Sequence, residues 1–166
     1  MSQVCKRIPS PVGELTLVAR DDKLVAILWE NDRPTRVKLG PMRDDDEHPV
    51  LVETARQLRE YFVGQRTDFA LDIEFHGTEF QKRVWNALLT IPFGETRSYR
   101  DIAVQVGNHK ATRAVGAANG RNPLSIVAPC HRVIGTSGEL TGFAGGKDKK
   151  AALLALESNA RQPMLF

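Results

Sequence analysis

Near His76-Gly77 the chain changes character, and that break limits its fold more than any other feature. Residues 1–77 carry 11 Lys/Arg and 14 Asp/Glu, a net −3. Residues 78–166 carry 12 Lys/Arg and 6 Asp/Glu, a net +6. A boundary there gives two small units, 1–77 and 78–166, within the range of small domains. A basic half beside an acidic one points to a polyanion, nucleic acid above all, as partner. A solvated basic face with no partner is the plainer reading of the same charge. Hydrophobic residues make up 42% and charged residues 26%, a globular mixture that excludes a wholly disordered chain. No apolar run approaches the ~20 residues that span a bilayer. Met1 to Ser10 lacks the apolar stretch of a signal peptide. Cys5 and Cys130 are too few for a disulfide framework, so a reducing, cytoplasmic setting is expected.

The first unit reads as a small α+β domain. Glu14 to Arg20 alternates polar and apolar, Asp21-Asp22-Lys23 turns, and Leu24 to Trp29 is a second β-rich run, which together predict a hairpin. Residues 31–49 hold Pro34, Pro41, Pro49 and the acidic run Asp44 to Glu47, and read as a loop. That acidic run is most simply solvated, with a metal site as the remote alternative. Leu51, Ala55, Leu58 and Phe62 recur at helical spacing, so residues 50–63 are predicted helical, ended by Gly64. Asp68 to Phe75 alternates and predicts a third strand.

The second unit reads as mainly helical. Thr78 and Gln81 form the pattern of a capping box. Phe80, Val84, Ala87, Leu88 and Ile91 give the stripe of a helix stopped by Pro92-Phe93-Gly94. Ser98 to Val106 is a second helix, Gly107-Asn108-His109 a turn, and residues 110–119 a third helix that Asn108 caps. Helix, glycine-containing turn, helix is the layout of a helix-turn-helix. The last helix is nearly bare: Ala111, Ala114, Gly116, Ala117 and Ala118 allow a close approach. Tight packing against a neighbouring helix is one reading, and entry into a nucleic-acid groove the other. Arg113 is the one long cation in the middle of that surface, placed for a phosphate or a base stack.

Residues 122–135 hold the chemistry. Leu124 to Ala128 is an apolar, strand-like run, and Pro129 fixes the backbone before Cys130, His131 and Arg132. A free cysteine is most often a small buried hydrophobe. A thiol with an imidazole beside it can instead be a nucleophile with its own base. Neighbours on a strand face opposite ways, so Cys130 and His131 need a bend to cooperate, and Pro129 and Gly135 flank the place for one.

Pro129-Cys130-His131-Arg132-Val133-Ile134-Gly135, preceded by Ala114 to Pro123, resembles the O6-alkylguanine-DNA alkyltransferase family (methylated-DNA–protein-cysteine methyltransferases). The resemblance runs from about Gly77 to Glu157. It includes Phe80-Gln81, Ile91-Pro92-Phe93-Gly94-Glu95, Ser98-Tyr99, Arg113-Ala114-Val115-Gly116 and Gly142 to Gly146. The first unit fits the family's smaller domain more loosely. The resemblance implies an α+β fold: a small antiparallel-sheet-plus-helix domain, then a helical DNA-binding domain with a winged-helix-like helix-turn-helix. It implies direct-reversal repair, with the alkyl group of O6-alkylguanine moved irreversibly to a cysteine in a single-turnover suicide reaction. O4-alkylthymine stays open as a further substrate.

By the same resemblance Cys130 is the acceptor, His131 its base through a bridging water, and Glu157 the carboxylate that orients His131. Asn122 bonds the backbone of the active-site turn, and Tyr99 stabilises the leaving guanine. Val133, with Cys130, offers a carbonyl to the guanine amino group. Phe143 and Ala144 line the alkyl pocket, where many members carry Tyr and Ser. Arg113 is the finger that fills the stack when the nucleotide is flipped out. Ala111 and Gly116 enter the minor groove, whose degenerate code implies weak sequence preference. Gln81, Arg100, Asn108 and Thr136 match positions on the DNA backbone. Displacement by a thiolate calls for no metal and no cofactor. One Cys with His48 and His76 falls short of a four-ligand zinc site in the first unit. The implied partner is double-stranded DNA containing O6-alkylguanine, with no membrane and no obligate protein partner; cooperative assembly on DNA stays open. Two competing readings are a lesion sensor without chemistry, which Cys130 argues against, and a thiol hydrolase, which leaves the bare helix without a purpose.

Overall fold

The structure is a computed structural model that describes residues 3–140 and 143–158. The chain opens with strands β1 (Gln3–Ile8), β2 (Leu15–Arg20) and β3 (Lys23–Leu28), then β4 (Arg43–Asp44). They form one sheet in the order β3-β2-β1-β4. The first three pair antiparallel, and β4 adds to β1 in parallel. The predicted hairpin is β2–β3, and Asp21 at φ +55 supplies its left-handed turn residue. β1 escaped the sequence reading because Lys6 and Arg7 interrupt its apolar pattern.

Helix α1 (Pro49–Phe62) lies on the sheet through Leu51, Leu58, Tyr61 and Phe62. Its N-terminus is capped by His48, whose ring accepts from the Val50 N–H, with Pro49 in the first turn where no N–H is missed. Gly64 follows with φ +79, as the predicted stop requires.

Residues 68–75 are not a strand. They make one bridge, Leu24 to Ile73, with hydrogen bonds from Leu24 N to Asp72 O and from Glu74 N to Leu24 O. The edge of β3 is shared. At Ile27 it is taken by a distant segment, through the bridge to Leu124 and the hydrogen bond to Pro123 O. Leu124 to Ala128 is likewise not a strand. After that bridge it turns, with Val127 N on Ser125 O, Ala128 N on Leu124 O and Ile126 at φ +75. A β-branched residue in the left-handed region costs roughly 1–3 kcal/mol, and here the buried Ile126 side chain holds it in place.

The second half holds α2 (Glu79–Leu88), β5 (Arg97–Ser98), α3 (Tyr99–Gln105), α4 (Thr112–Gly120), β6 (Val133–Ile134) and α5 (Lys147–Ser158). The Thr78–Gln81 capping box is complete in both directions. α2 stops at Leu88, earlier than its stripe implied, because a tight final turn returns Thr90 N to Ala87 O and Ile91 N to Leu88 O. Ile91 is buried all the same. Ser98 caps α3, with Asp101 completing a second capping box. Asn108 does not cap α4. Its side chain accepts from Lys110 N inside the turn, and α4 begins at Thr112 with no side-chain cap. Trp85 Nε1 donates to Ala118 O at 2.8 Å and locks α2 to α4. Short β5 pairs parallel with β6. The larger core cluster joins the sheet and α1 to Leu124, Ile126, Leu153 and Leu156 from the second half.

Candidate active site

The bend that the thiol needs is a single 3-10 turn, Cys130–Arg132, entered from Pro129 and leading into β6. Its three side chains are all buried. Burial pushes the Cys130 thiol above its usual range, while Asn122, Arg36, Lys150 and Ser125 pull it back. The resting group is therefore a thiol and needs a base.

That base is next in sequence. His131 Nε2 lies 2.7 Å from Glu157 Oε2, so Nε2 carries the hydrogen and Nδ1 the lone pair. Nδ1 is buried and pairs with no group of the described residues. Burial lowers the His131 pKa, opposed by Glu157, and this keeps the ring neutral. Glu157 is the hub. Burial pushes its pKa up, but hydrogen bonds from His131 and Arg132 outweigh this and hold it at about 2. Arg132 grips it with Nε at 2.7 Å and Nη2 at 3.0 Å, and sends Nη1 to Ile91 O. The Tyr61 hydroxyl donates to Glu157 Oε2 at 2.6 Å. Burial, then Glu157, raises the Tyr61 pKa, so Tyr61 stays a donor.

Asn122 holds the approach to the turn. Its Nδ2 donates to Ala128 O at 2.8 Å, and its Oδ1 accepts from Leu124 N at 3.0 Å. The Cys130 carbonyl accepts from Asn119 Nδ2 and the Val133 carbonyl from Lys150 Nζ. The Cys130 carbonyl also accepts the Val133 N–H that closes the turn. Lys150 is buried, and its ammonium sits 5.8 Å from the Tyr99 ring and 5.9 Å from the Phe143 ring. Burial drops the Lys150 pKa to about 8. Phe143 packs edge-on to Trp29, with ring centroids 5.3 Å apart. A Cβ on Gly145 would come within 2.9 Å of both rings, so only glycine fits there. Ala144 packs half-buried on the main core. Gly142 of the motif lies outside the described residues.

Cys130, His131, Glu157 and Asn122 thus gather around one turn, and Lys150 links Tyr99, Phe143 and Val133. The other predicted residues lie on the helix pair and its borders. Arg100, Asn108 and Arg113 are exposed on α3, the turn and α4. Thr136 is exposed beyond β6. Gln81 spends its oxygen on the Thr78 N–H. Ala111 and Gly116 are half-buried, and Tyr99 is the nearest side chain to Gly116. A Cβ built on Gly116 would sit 3.9 Å from that ring, an ordinary contact. Packing inside the protein therefore does not demand the missing side chain.

Five contributors were missed from sequence: Tyr61, Arg132, Lys150, Asn119 and Arg36. Arg36 joins the sheet half to the site. It is clamped by Asp32 at 2.7 Å through both Nε and Nη2, and donates to the carbonyls of Asn122 at 2.7 Å and Gly120 at 3.3 Å. Nothing local marks these residues, because each one's partner in the site lies eleven or more positions away in the chain. Arg132, inside the Pro-Cys-His-Arg motif, carried the one usable signal. Among the described residues no three of His, Cys, Asp and Glu cluster as a metal site would need.

A thiol beside a neutral imidazole that a carboxylate anchors is the layout of a cysteine nucleophile with its own base. Comparison with known proteins narrows that class. Residues 4–75 match the family described as 6-O-methylguanine DNA methyltransferase, ribonuclease-like domain, and residues 79–159 match its DNA binding domain. A methylated-DNA–protein-cysteine methyltransferase of Mycobacterium leprae is 48% identical over 157 residues, covering 93% of this chain and 92% of its own. One from Methanosarcina acetivorans is 57% identical over 150 residues, covering 90% and 95%. The crystal structure of Mycobacterium tuberculosis OGT in complex with DNA superposes with a TM-score of 0.87 at 44% identity, covering 98% of this chain and 96% of that one. The chain belongs to the methylated-DNA–protein-cysteine methyltransferases.

Proposed function

We propose that this chain repairs duplex DNA by taking the alkyl group of O6-alkylguanine onto Cys130, once per molecule. The observation that carries this is the buried thiol in one turn with a neutral His131, whose Nε2 is anchored and whose Nδ1 has no partner among the described residues. The thiol proton passes through a bridging water to Nδ1. Sγ then bonds to the alkyl carbon as the carbon–O6 bond breaks, leaving its electron pair on guanine. Tyr99 hydrogen-bonds to the guanine as that charge develops, and the proton held on His131 finally passes to the guanine, leaving both neutral. The Cys130 and Val133 carbonyls accept from its amino group, and Phe143 and Ala144 bound the alkyl group. The thioether has no resolving thiol nearby, so the protein is consumed.

The α3–turn–α4 pair acts as a helix-turn-helix laid in the minor groove, within a second unit spanning 78–166. The open surface at Gly116 admits the groove, Ala111 lies at its edge, and Arg113 fills the stack after the nucleotide is flipped out. Arg100, Asn108, Thr136 and Gln81 meet the backbone. Two results test this. Titrating the protein with O6-methylguanine duplex should restore one guanine per protein molecule and then stop; continuing turnover would contradict the mechanism. Arg113→Ala should slow repair of the duplex by well over tenfold relative to free O6-methylguanine, because flipping costs a few kcal/mol and ~1.4 kcal/mol is tenfold. Equal losses on both substrates would remove the finger role.

A further inference from the structure

Between the two halves lies a cavity of about 760 Å³ that the reaction does not use. Its floor includes Val25, Leu39 and Trp85, and its wall carries Arg20, Lys38, His76 and Arg121. Among the described residues no carboxylate lines it. Arg36 also lines the cavity but is clamped by Asp32, and Arg7, Lys23, Arg56 and Arg66 elsewhere in the first half each pair with Asp or Glu. Arg20, Lys38 and Arg121 pair with none among the described residues. Arg20 is instead braced against the His76 ring at 3.1 Å, and His76 leans on Glu74 at 3.0 Å. The Arg20 Nε is buried without a partner among the described residues.

Position decides what such a groove would hold. Arg121 directly follows α4, and Gln81 in the first turn of α2 also lines the cavity. Arg113 and Arg121 are separated by the length of α4, ~12 Å at 1.5 Å per residue. A DNA strand carries a phosphate every ~3.4 Å along the axis. A duplex seated on α4 and continuing toward its C-terminal end meets Arg121 and the groove within a few nucleotides.

We infer that this groove is a second DNA-backbone site, in which Lys38 and Arg121, with Arg20 behind them, hold phosphates flanking the segment on α4. The inference rests on the duplex-binding reading above. The sheet half then takes part in binding DNA as well as in supporting the active site.

The test is the salt dependence of binding to undamaged duplex by Lys38→Ala, Arg121→Ala and their double variant, with Lys6→Ala as a control outside the groove. Each lost phosphate contact lowers the slope of log K against log salt by ~0.9. We expect a fall of about one per groove residue, no fall for Lys6→Ala, and unchanged transfer from free O6-methylguanine in all. Thermal melting checks that the exposed substitutions leave the fold intact. Unchanged slopes in the groove variants, or an equal fall in Lys6→Ala, would overturn the inference while the wild type still binds and repairs duplex. If the wild type shows no salt-dependent duplex binding, the function reading fails too, and both are overturned.

Discussion

Cys130→Ala should abolish alkyl transfer completely while duplex affinity stays at the wild-type level. The reason is a division of space. The thiol is buried inside the 3-10 turn, while the residues assigned to DNA lie on α3, α4 and their flanks. Removing one sulfur from a packed interior costs about 1 kcal/mol, well inside the stability of a domain of this size. The rest of the turn is held by backbone and Asn122 bonds that alanine leaves intact. The measurement is a paired one: transfer from labelled duplex and equilibrium binding to the same duplex. Parallel loss of both would mean that the turn, not the sulfur, had been damaged.

The second large effect falls on Glu157. This carboxylate satisfies Tyr61, His131 and Arg132 at once, all of them buried. Glu157→Ala strands a buried guanidinium without its counter-charge, which costs roughly 3–5 kcal/mol. In a chain of this length that lowers the melting temperature on the order of 10 °C. Transfer should fall as well, because His131 loses the bond that fixes its tautomer. The pH dependence is specific. The folded pKa of about 2 lies below the ordinary 4.5, so the carboxylate adds its stability in full above pH 4.5 and loses it as pH falls toward 2. Thermal unfolding of wild type and variant across that window should converge toward the acid end. A gap that stays constant from pH 4.5 to 2 would mean that the charge of Glu157 is not what stabilises the hub.

Local patterns were legible in the sequence. The Thr78 capping box, the β2–β3 hairpin, α1 and the stop at Gly64 depend on residues a few positions apart, and each formed as read. The strand readings failed where the decision was not local. Residues 68–75 and 124–128 compete for one edge of β3, and each wins a single bridge. The site divides the same way. Cys130 and His131 were visible because chemistry requires them side by side. Glu157 was reached only through the resemblance. Tyr61 meets Glu157 across 96 positions, and Arg36 meets Asn122 across 86, so no local pattern carries either. Lys150 looks like one more lysine in Lys147 to Lys150, and only the fold reveals that it is the one turned inward.

The central claim is that a methyl group passes from guanine O6 to one sulfur. The most direct measurement is intact-protein mass spectrometry after incubation with a duplex containing one O6-methylguanine, followed by peptide mapping. The account predicts a single methyl adduct per molecule, saturating at one and located on the peptide that carries Cys130. An unmodified protein that still holds the lesion tightly, or an adduct on any other residue, would contradict it.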